Sequence, residues 1–302
     1  MRTHKILFLA ALLFCCLSCG REDLPSYKMG DYVDVHLNIA ADDIQFMGTK
    51  SEFALDPKVE NPIEDVWVVQ YDELGNHCTD EYIPRMMATL MISDLEVKLK
   101  VCPTSTIVVF ANLGAGNIAK EGYEWPGTLA LLRKSRMAVD QSLDINGGAD
   151  PSRLYMVGET TLQASQIGQA NEGNTSINVM LSRLCCKLAV GVHQSGNEFH
   201  DIKVQILNAS KGFTVFPTKE SFTATYDESY TADQVASVGT SRKYFYYYLY
   251  ENMDTERQTK IKVTVTGEDG QERVRIFPIT SHGELIRNTF YTIDLELKGS
   301  GN

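Results

Sequence analysis

Hydrophobic and polar positions alternate over Tyr32–Ala40 (YVDVHLNIA). Val33, Val35, Leu37 and Ile39 share one face, and Asp34, His36 and Asn38 the other. A period of two is that of a strand half buried in a sheet. Asp65–Tyr71 (DVWVVQY) is a second such run, closed by the turn sequence DELGN, and Leu95–Val101 (LEVKLKV) alternates again. Thr106–Ala111 (TIVVFA) is apolar on both faces, as a strand buried on both sides must be. Thr128–Met137, entered through Pro126-Gly127, is the one helix the pattern predicts, with Leu129, Leu132 and Met137 to one side. The polar NEGN at 171–174 interrupts the pattern. Ile177–Val192 then reads as one long strand and Asp201–Leu207 (DIKVQIL) as the next. Phe213–Phe216, Tyr244–Tyr250, Lys260–Thr266, Glu272–Ile276 and Phe290–Leu297 complete a series of short strands with turn signals between them. The expectation is an all-β chain with minor α content, built of sandwiches.

Two stretches echo each other. VDVHLNIA followed by EDVWVVQY, and SINVMLSRLCCKLAVGV followed by HDIKVQIL, each give a strand, a connection and an Asp-led strand. They read as the openings of two similar β-domains in tandem, 31–172 and 173–302.

Ahead of them lies a different pattern. Arg2 and Lys5 precede Ile6–Leu17, twelve residues without a charge. A membrane-spanning helix needs roughly 20 apolar residues, so this run has the length of a signal-peptide core. It ends without an A-x-A site. Leu17-Ser18-Cys19-Gly20 resembles a bacterial lipobox, with Cys16 standing where leucine is usual. That resemblance implies a signal over residues 1–18, diacylglycerol on the Cys19 sulfur, acylation of the freed amine and a lipidated linker over 19–30. Two or more acyl chains hold a protein stably at a membrane surface. Gly20-Arg21-Glu22-Asp23 resembles, weakly, the acidic tract that directs Bacteroidia lipoproteins to the outer face of the outer membrane.

The formal net charge is −11 over 302 residues, and losing Arg2 and Lys5 makes it more negative. Nucleic acids and anionic lipids call for basic patches, so neither is an expected ligand. Outside the leader the cysteines are Cys78, Cys102, Cys185 and Cys186. Cys185 and Cys186 are adjacent in an extended run and point to opposite faces. An even count in an exported chain permits disulfides, but the spacing demands none, and buried thiols are the expectation.

Catalytic signatures are missing from the sequence. His193 and His200 are seven apart across a turn, with no H-E-x-x-H helix to join them into a metal site. There is no nucleophile elbow and no phosphate-binding G-x-x-x-x-G-K-[ST]. GAGN at 114–117 follows a strand, but the helix comes too late to offer its N-terminus to a phosphate. No catalytic residue, metal or cofactor is expected. KYFYYYLY at 243–250 places Tyr244, Tyr246, Tyr248 and Tyr250 on one face. It reads as an inner strand, or alternatively as an aromatic surface that stacks on a glycan or host protein.

In their order along the chain, several motifs resemble the fimbrillin-like lipoproteins of Bacteroidia. They are the lipobox at Cys19, the first strand Val33–Ala40, Thr49-Lys50, IEDVWVVQYDELGN, TIVVFANLG, YMVGE, INVMLSRLCCKLAVGV, YYLYENM and IRNTFYTIDLELKG. The resemblance implies two transthyretin-like Greek-key sandwiches and a non-enzymatic subunit of a fimbrium. It further implies that the first strand fills a slot, with Val33, Val35, Leu37 and Ile39 as its plugs. Proteolysis in the following loop lets it leave, and a strand from another subunit takes its place. Tyr291, Ile293, Leu295 and Leu297 on the terminal strand form a suitable apolar donor face. Family members are commonly cut behind an arginine, and from Glu22 through Pro84 this chain has none. Lys50 stands at the corresponding place. Either it is cut, or the strand and its lipid are retained, as an anchor or terminating subunit requires. Tyr250 also replaces the family's proline before Glu251-Asn252. The expected partners are other fimbrial subunits, the outer membrane through the lipid, and a host protein or glycan.

Overall fold

The structure, a computed structural model, describes residues 27–43, 45–47, 62–114, 127–138, 154–171, 173, 176–196, 198–210, 212–217, 226–227, 234–237 and 241–298. Its first elements are β1 (Tyr32–Ala41), β2 (Gln45–Met47), β3 (Ile63–Tyr71), β4 (His77–Thr89), β5 (Met91–Lys100) and β6 (Thr104–Ala111). Next come α1 (Leu129–Lys134), β7 (Arg136–Ala138), β8 (Met156–Gln163), α2 (Ala164–Asn171), β9 (Ile177–Arg183) and β10 (Cys185–Gln194). After these run β11 (Phe199–Leu207), β12 (Ala209–Ser210), β13 (Gly212–Thr214), β14 (Tyr226–Asp227) and β15 (Gln234–Ser237). The chain finishes with β16 (Lys243–Tyr250), β17 (Lys260–Gly267), β18 (Glu272–Pro278) and β19 (Thr289–Leu297). The class is all-β with minor helix, as the alternation predicts.

Seven strands form one sheet in the order β4-β3-β6-β8-β9-β1-β5. Its outermost strands, β4 and β5, are joined through Leu90 and lie against each other, so the sheet curls around its core. That core includes Val35, Leu37, Ile39, Val66, Val69, Ile107, Val109 and Leu181. TIVVFA becomes β6, paired on both sides and buried from Ile107 to Ala111, as its two apolar faces require.

Two four-stranded sheets follow, β16-β10-β19-β2 and β15-β11-β17-β18. A second core lies between them. Leu188 and Val190 of β10, Tyr247 and Leu249 of β16 and Tyr291 of β19 meet Val204 of β11 and Val263 of β17. The Tyr247 hydroxyl donates to the Val204 carbonyl at 3.0 Å, satisfying its one polar group across the sandwich. The opposite face of the β10–β16 pair belongs to the first core, through Cys185, Tyr248 and Tyr250.

Several elements differ from the sequence reading. Ile177–Val192 is two strands in two sheets, and the chain changes sheet at Leu184, whose N–H donates to the Tyr155 carbonyl at 2.8 Å. The first half alternates buried and exposed residues and the second is buried on both faces, but with no Gly, Pro or polar turn between them the run reads as one strand. The helix predicted over Thr128–Met137 stops at Lys134. Thr128 caps it, its hydroxyl accepting from Leu131 N–H at 3.3 Å, and Arg136–Ala138 then pairs with Gly212–Thr214. Helix α2 and strand β4 carry no clear periodicity. The buried residues of α2 are Ala164, Ile167, Gly168 and Ala170, mostly small, and β4 is an edge strand that tolerates Pro84.

Candidate functional site

The most distinctive feature is the seat of β1. Val35, Leu37 and Ile39 are fully buried, and Val33 packs at the margin of the same core. Leu37 stands opposite Leu95 of β5 on one side and Ile177 of β9 on the other, and Ile39 opposite Ile92 and Val179. The polar face is matched as well. Asp34 holds the Lys98 ammonium at 2.8 Å, raising its pKa, and His36 Nδ1 lies 2.9 Å from the Asp94 carboxylate. The Asn38 side chain donates to Asn178 Oδ1 at 3.1 Å and accepts from Asp94 N–H at 3.0 Å. Asp94 has a φ of 60°, where β5 bulges and the register shifts between Leu37 and Ile39.

Strand β1 is therefore internal, antiparallel to β5 and parallel to β9. Within the described sheet, β5 pairs with no other strand. Exposing three fully buried aliphatic side chains costs on the order of 5–9 kcal/mol. That alone matches the net stability of many domains, before the unpaired strand edges are counted. Emptying the slot of β1 is therefore a costly step.

The segment is fastened at both ends. Gly30 N–H donates to the Val101 carbonyl and Val101 N–H to the Asp31 carbonyl, both at 2.8 Å. The Tyr27 ring rests on Gly168 of α2, where any Cβ would overlap it. Beyond β1, Asp42 N–H donates to the Leu181 carbonyl at 2.8 Å. Arg183 Nη1 donates to the Asp42 carbonyl at 2.9 Å and to Asn288 Oδ1 at 2.6 Å, and Asn288 Nδ2 donates to the Asp43 carbonyl at 3.0 Å. Then β2 pairs in parallel with Thr289–Tyr291 of β19. Residues 27–47 thus supply one strand to the seven-stranded sheet and one to a four-stranded sheet. Arg183 and Asn288, which clasp the link, were not singled out by sequence reasoning. Both sit inside quoted motifs, SRLCC and IRNTFY, but nothing local says what they hold.

The terminal strand β19 lies between β10 and β2. Tyr291 is buried in the second core, and Ile293, Leu295 and Leu297 are partly buried against it. Strand β2 reaches only Thr289–Tyr291. A cavity of about 340 Å³ borders Leu295 and Leu297, floored by Phe199, Val263 and Val265. Cys19 and Lys50 lie outside the described residues.

The tyrosine-rich strand is mostly interior. Tyr247, Tyr248 and Tyr250 are buried, with Tyr250 stacked on Phe213 at 4.9 Å between ring centroids, while Tyr246 is 36% exposed. Lys187 lies among Tyr246, Tyr248 and Phe290, with its ammonium 5.0, 5.7 and 5.1 Å from their ring centroids. Among the described residues no group of three or more His, Cys, Asp or Glu could hold a metal ion. No helix among them is long and apolar enough to cross a membrane.

The fold has counterparts among solved structures. The fold is that of the fimbrillin-like proteins of Bacteroidales. The tip fimbrial protein Mfa3 of Porphyromonas gingivalis, solved with a C-terminal truncation, superposes with a TM-score of 0.58 at 14% identity, over 89% of this chain and 96% of that one. The fimbrilin FimA of the same species gives 0.55 at 14% identity, over 88% and 91%. A candidate cell adhesion protein of Parabacteroides distasonis gives 0.57 at 18% identity, over 88% and 89%. No family model and no curated protein matches the sequence.

Proposed function

We propose that this chain is a cell-surface fimbrial subunit, a shaft, anchor or tip component, assembled by strand exchange and serving adhesion rather than catalysis. The observation that carries the reading is the internal seat of β1. Its plugs are wholly buried, and its departure would leave a groove between β5 and β9 shaped for another strand. The fimbrial neighbours support it. Because β2 continues the same segment, a cut at Lys50 frees both strands together, opening the seven-stranded sheet and uncovering the edge of β19 at Thr289–Tyr291. Strand β19, once drawn out of the second core, offers the face of Tyr291, Ile293, Leu295 and Leu297 as the donor to another copy. Acylated Cys19 ties the uncut chain to the outer membrane. On this reading the chain is two sandwiches in tandem.

The mass of the mature N-terminus tests this first. Acylated Cys19 marks a retained strand and an anchoring role, and Ser51 marks a processed, polymerising subunit. A start at neither residue overturns the maturation scheme. Ladders that resist detergent, vanish when a β1 peptide is added and persist when that peptide carries Leu37→Asp support strand exchange. A chain that stays monomeric after losing residues 19–50 contradicts it.

A further inference from the structure

Cys78 and Cys102 come together although the sequence spacing offers no reason for it. Their sulfurs are 3.8 Å apart. Cys78 is the second residue of the edge strand β4 and is partly exposed, and Cys102 is buried in the turn between β5 and β6. We propose that the exported protein carries a Cys78–Cys102 disulfide, which holds β5 in place as the outer wall of the β1 slot.

The thiol contact carries the first part. An S–S bond of about 2.0 Å needs two sulfurs already neighbouring, and a thiol pair in an exported chain meets an oxidising compartment. Both S–H bonds are lost and one S–S bond forms. Two electrons and two protons pass to a protein disulfide of the exchange type, which leaves as a dithiol. Burial and the adjacent Cys102 push the Cys78 thiol up to about 12. Cys78 is therefore a slow nucleophile once folded, which puts the exchange in the folding chain, before β4 closes over Cys102.

The strand arrangement carries the second part, which rests on the proposed strand exchange. With β1 gone, β5 keeps no strand partner in the described sheet. At Met91 the tight link through Leu90 still tethers it to β4. At Lys100 it is held by the Gln70 amide, which donates to the Lys100 carbonyl at 2.6 Å and accepts from Lys100 N–H at 2.7 Å. The disulfide adds a covalent tie two residues beyond, so both ends of β5 stay fixed while the slot is open.

The test uses the full exported chain. Unfolded in an alkylating reagent without reductant and then digested, it should yield the Cys78 and Cys102 peptides linked, two hydrogens lighter, with Cys185 and Cys186 alkylated. Alkylated Cys78 and Cys102 overturn the bond whatever the fate of β1. For the clamp, amide hydrogen exchange is compared in the oxidised and reduced chain. Exchange in β5 should rise about tenfold or more on reduction while β3 and β6 hold. Equal β5 exchange in both forms overturns the clamp and leaves the strand-exchange reading to its own N-terminal test.

Discussion

Arg287 and Glu251 are 7% and 4% exposed and neutralise each other inside the protein. Arg287 Nε donates to Glu251 Oε2 at 2.7 Å and Nη2 to its other oxygen. Nη1 and Nη2 also donate to the Val215 and Thr214 carbonyls at 2.8 and 2.7 Å, and the Thr214 hydroxyl donates to Glu251 Oε1 at 3.0 Å. A buried pair this well bonded contributes little net stability over an apolar pair, yet removing one member strands the other's charge. Arg287→Ala should therefore cost about 3–5 kcal/mol in urea unfolding. Arg287→Met combined with Glu251→Leu should cost clearly less. A double variant as unstable as the single one would contradict the stranded-charge account. The sequence could not announce this pair, whose members are 36 residues apart, nor the Arg183–Asn288 clasp across 105. Each side chain looks like an ordinary polar residue until the fold closes.

Strands whose two faces meet different surroundings were legible, and β1 is the clearest. Its alternation sorted Val35, Leu37 and Ile39 to the core and Asp34, His36 and Asn38 to the partnered outer face. Leu37→Ala should cost about 2–5 kcal/mol, because the strands on either side hold the cavity open. Met180→Ala on the neighbouring β9, 54% exposed, should stay within about 0.5 kcal/mol. Denaturant midpoints measure both, and a Leu37 variant as stable as the Met180 variant would remove β1 from the core. Elements buried on both faces showed that they were interior, as β6 did, but not where they changed layer. The run from Ile177 hid its change of sheet at Leu184, and KYFYYYLY was legible as an inner strand but not as one shared between two cores. Phe245, Tyr247 and Leu249 enter one core, and Tyr248 and Tyr250 the other. Alternation tells which residues share a face, not which layer covers it.

That double burial couples the molecule's two cores. Strands β10 and β16 belong to both: Cys186 and Leu249 face the second core, while Cys185 and Tyr250 face the first. If one core opens, the shared pair loses half its packing, so the cores should fail together. Raised pH offers a probe in each. Tyr71, in the first core, is held well above the usual phenol value by burial and then by the Asp80 charge. Tyr291, in the second, is pushed up to about 12, chiefly by burial. Below pH 10 these phenols are protonated in the folded and unfolded chain alike, and their contribution is fully present. Above that the unfolded chain releases protons that the folded chain retains, so stability falls as pH rises toward 12. The Tyr291 shift alone corresponds to a loss on the order of 2–3 kcal/mol. Tyrosinate absorbance from the buried phenols should therefore appear late and in one step, at the pH where circular dichroism reports unfolding. Two separated steps, with one group of tyrosines ionising while the other stays protonated, would mean that the shared strands do not bind the cores into a single cooperative unit.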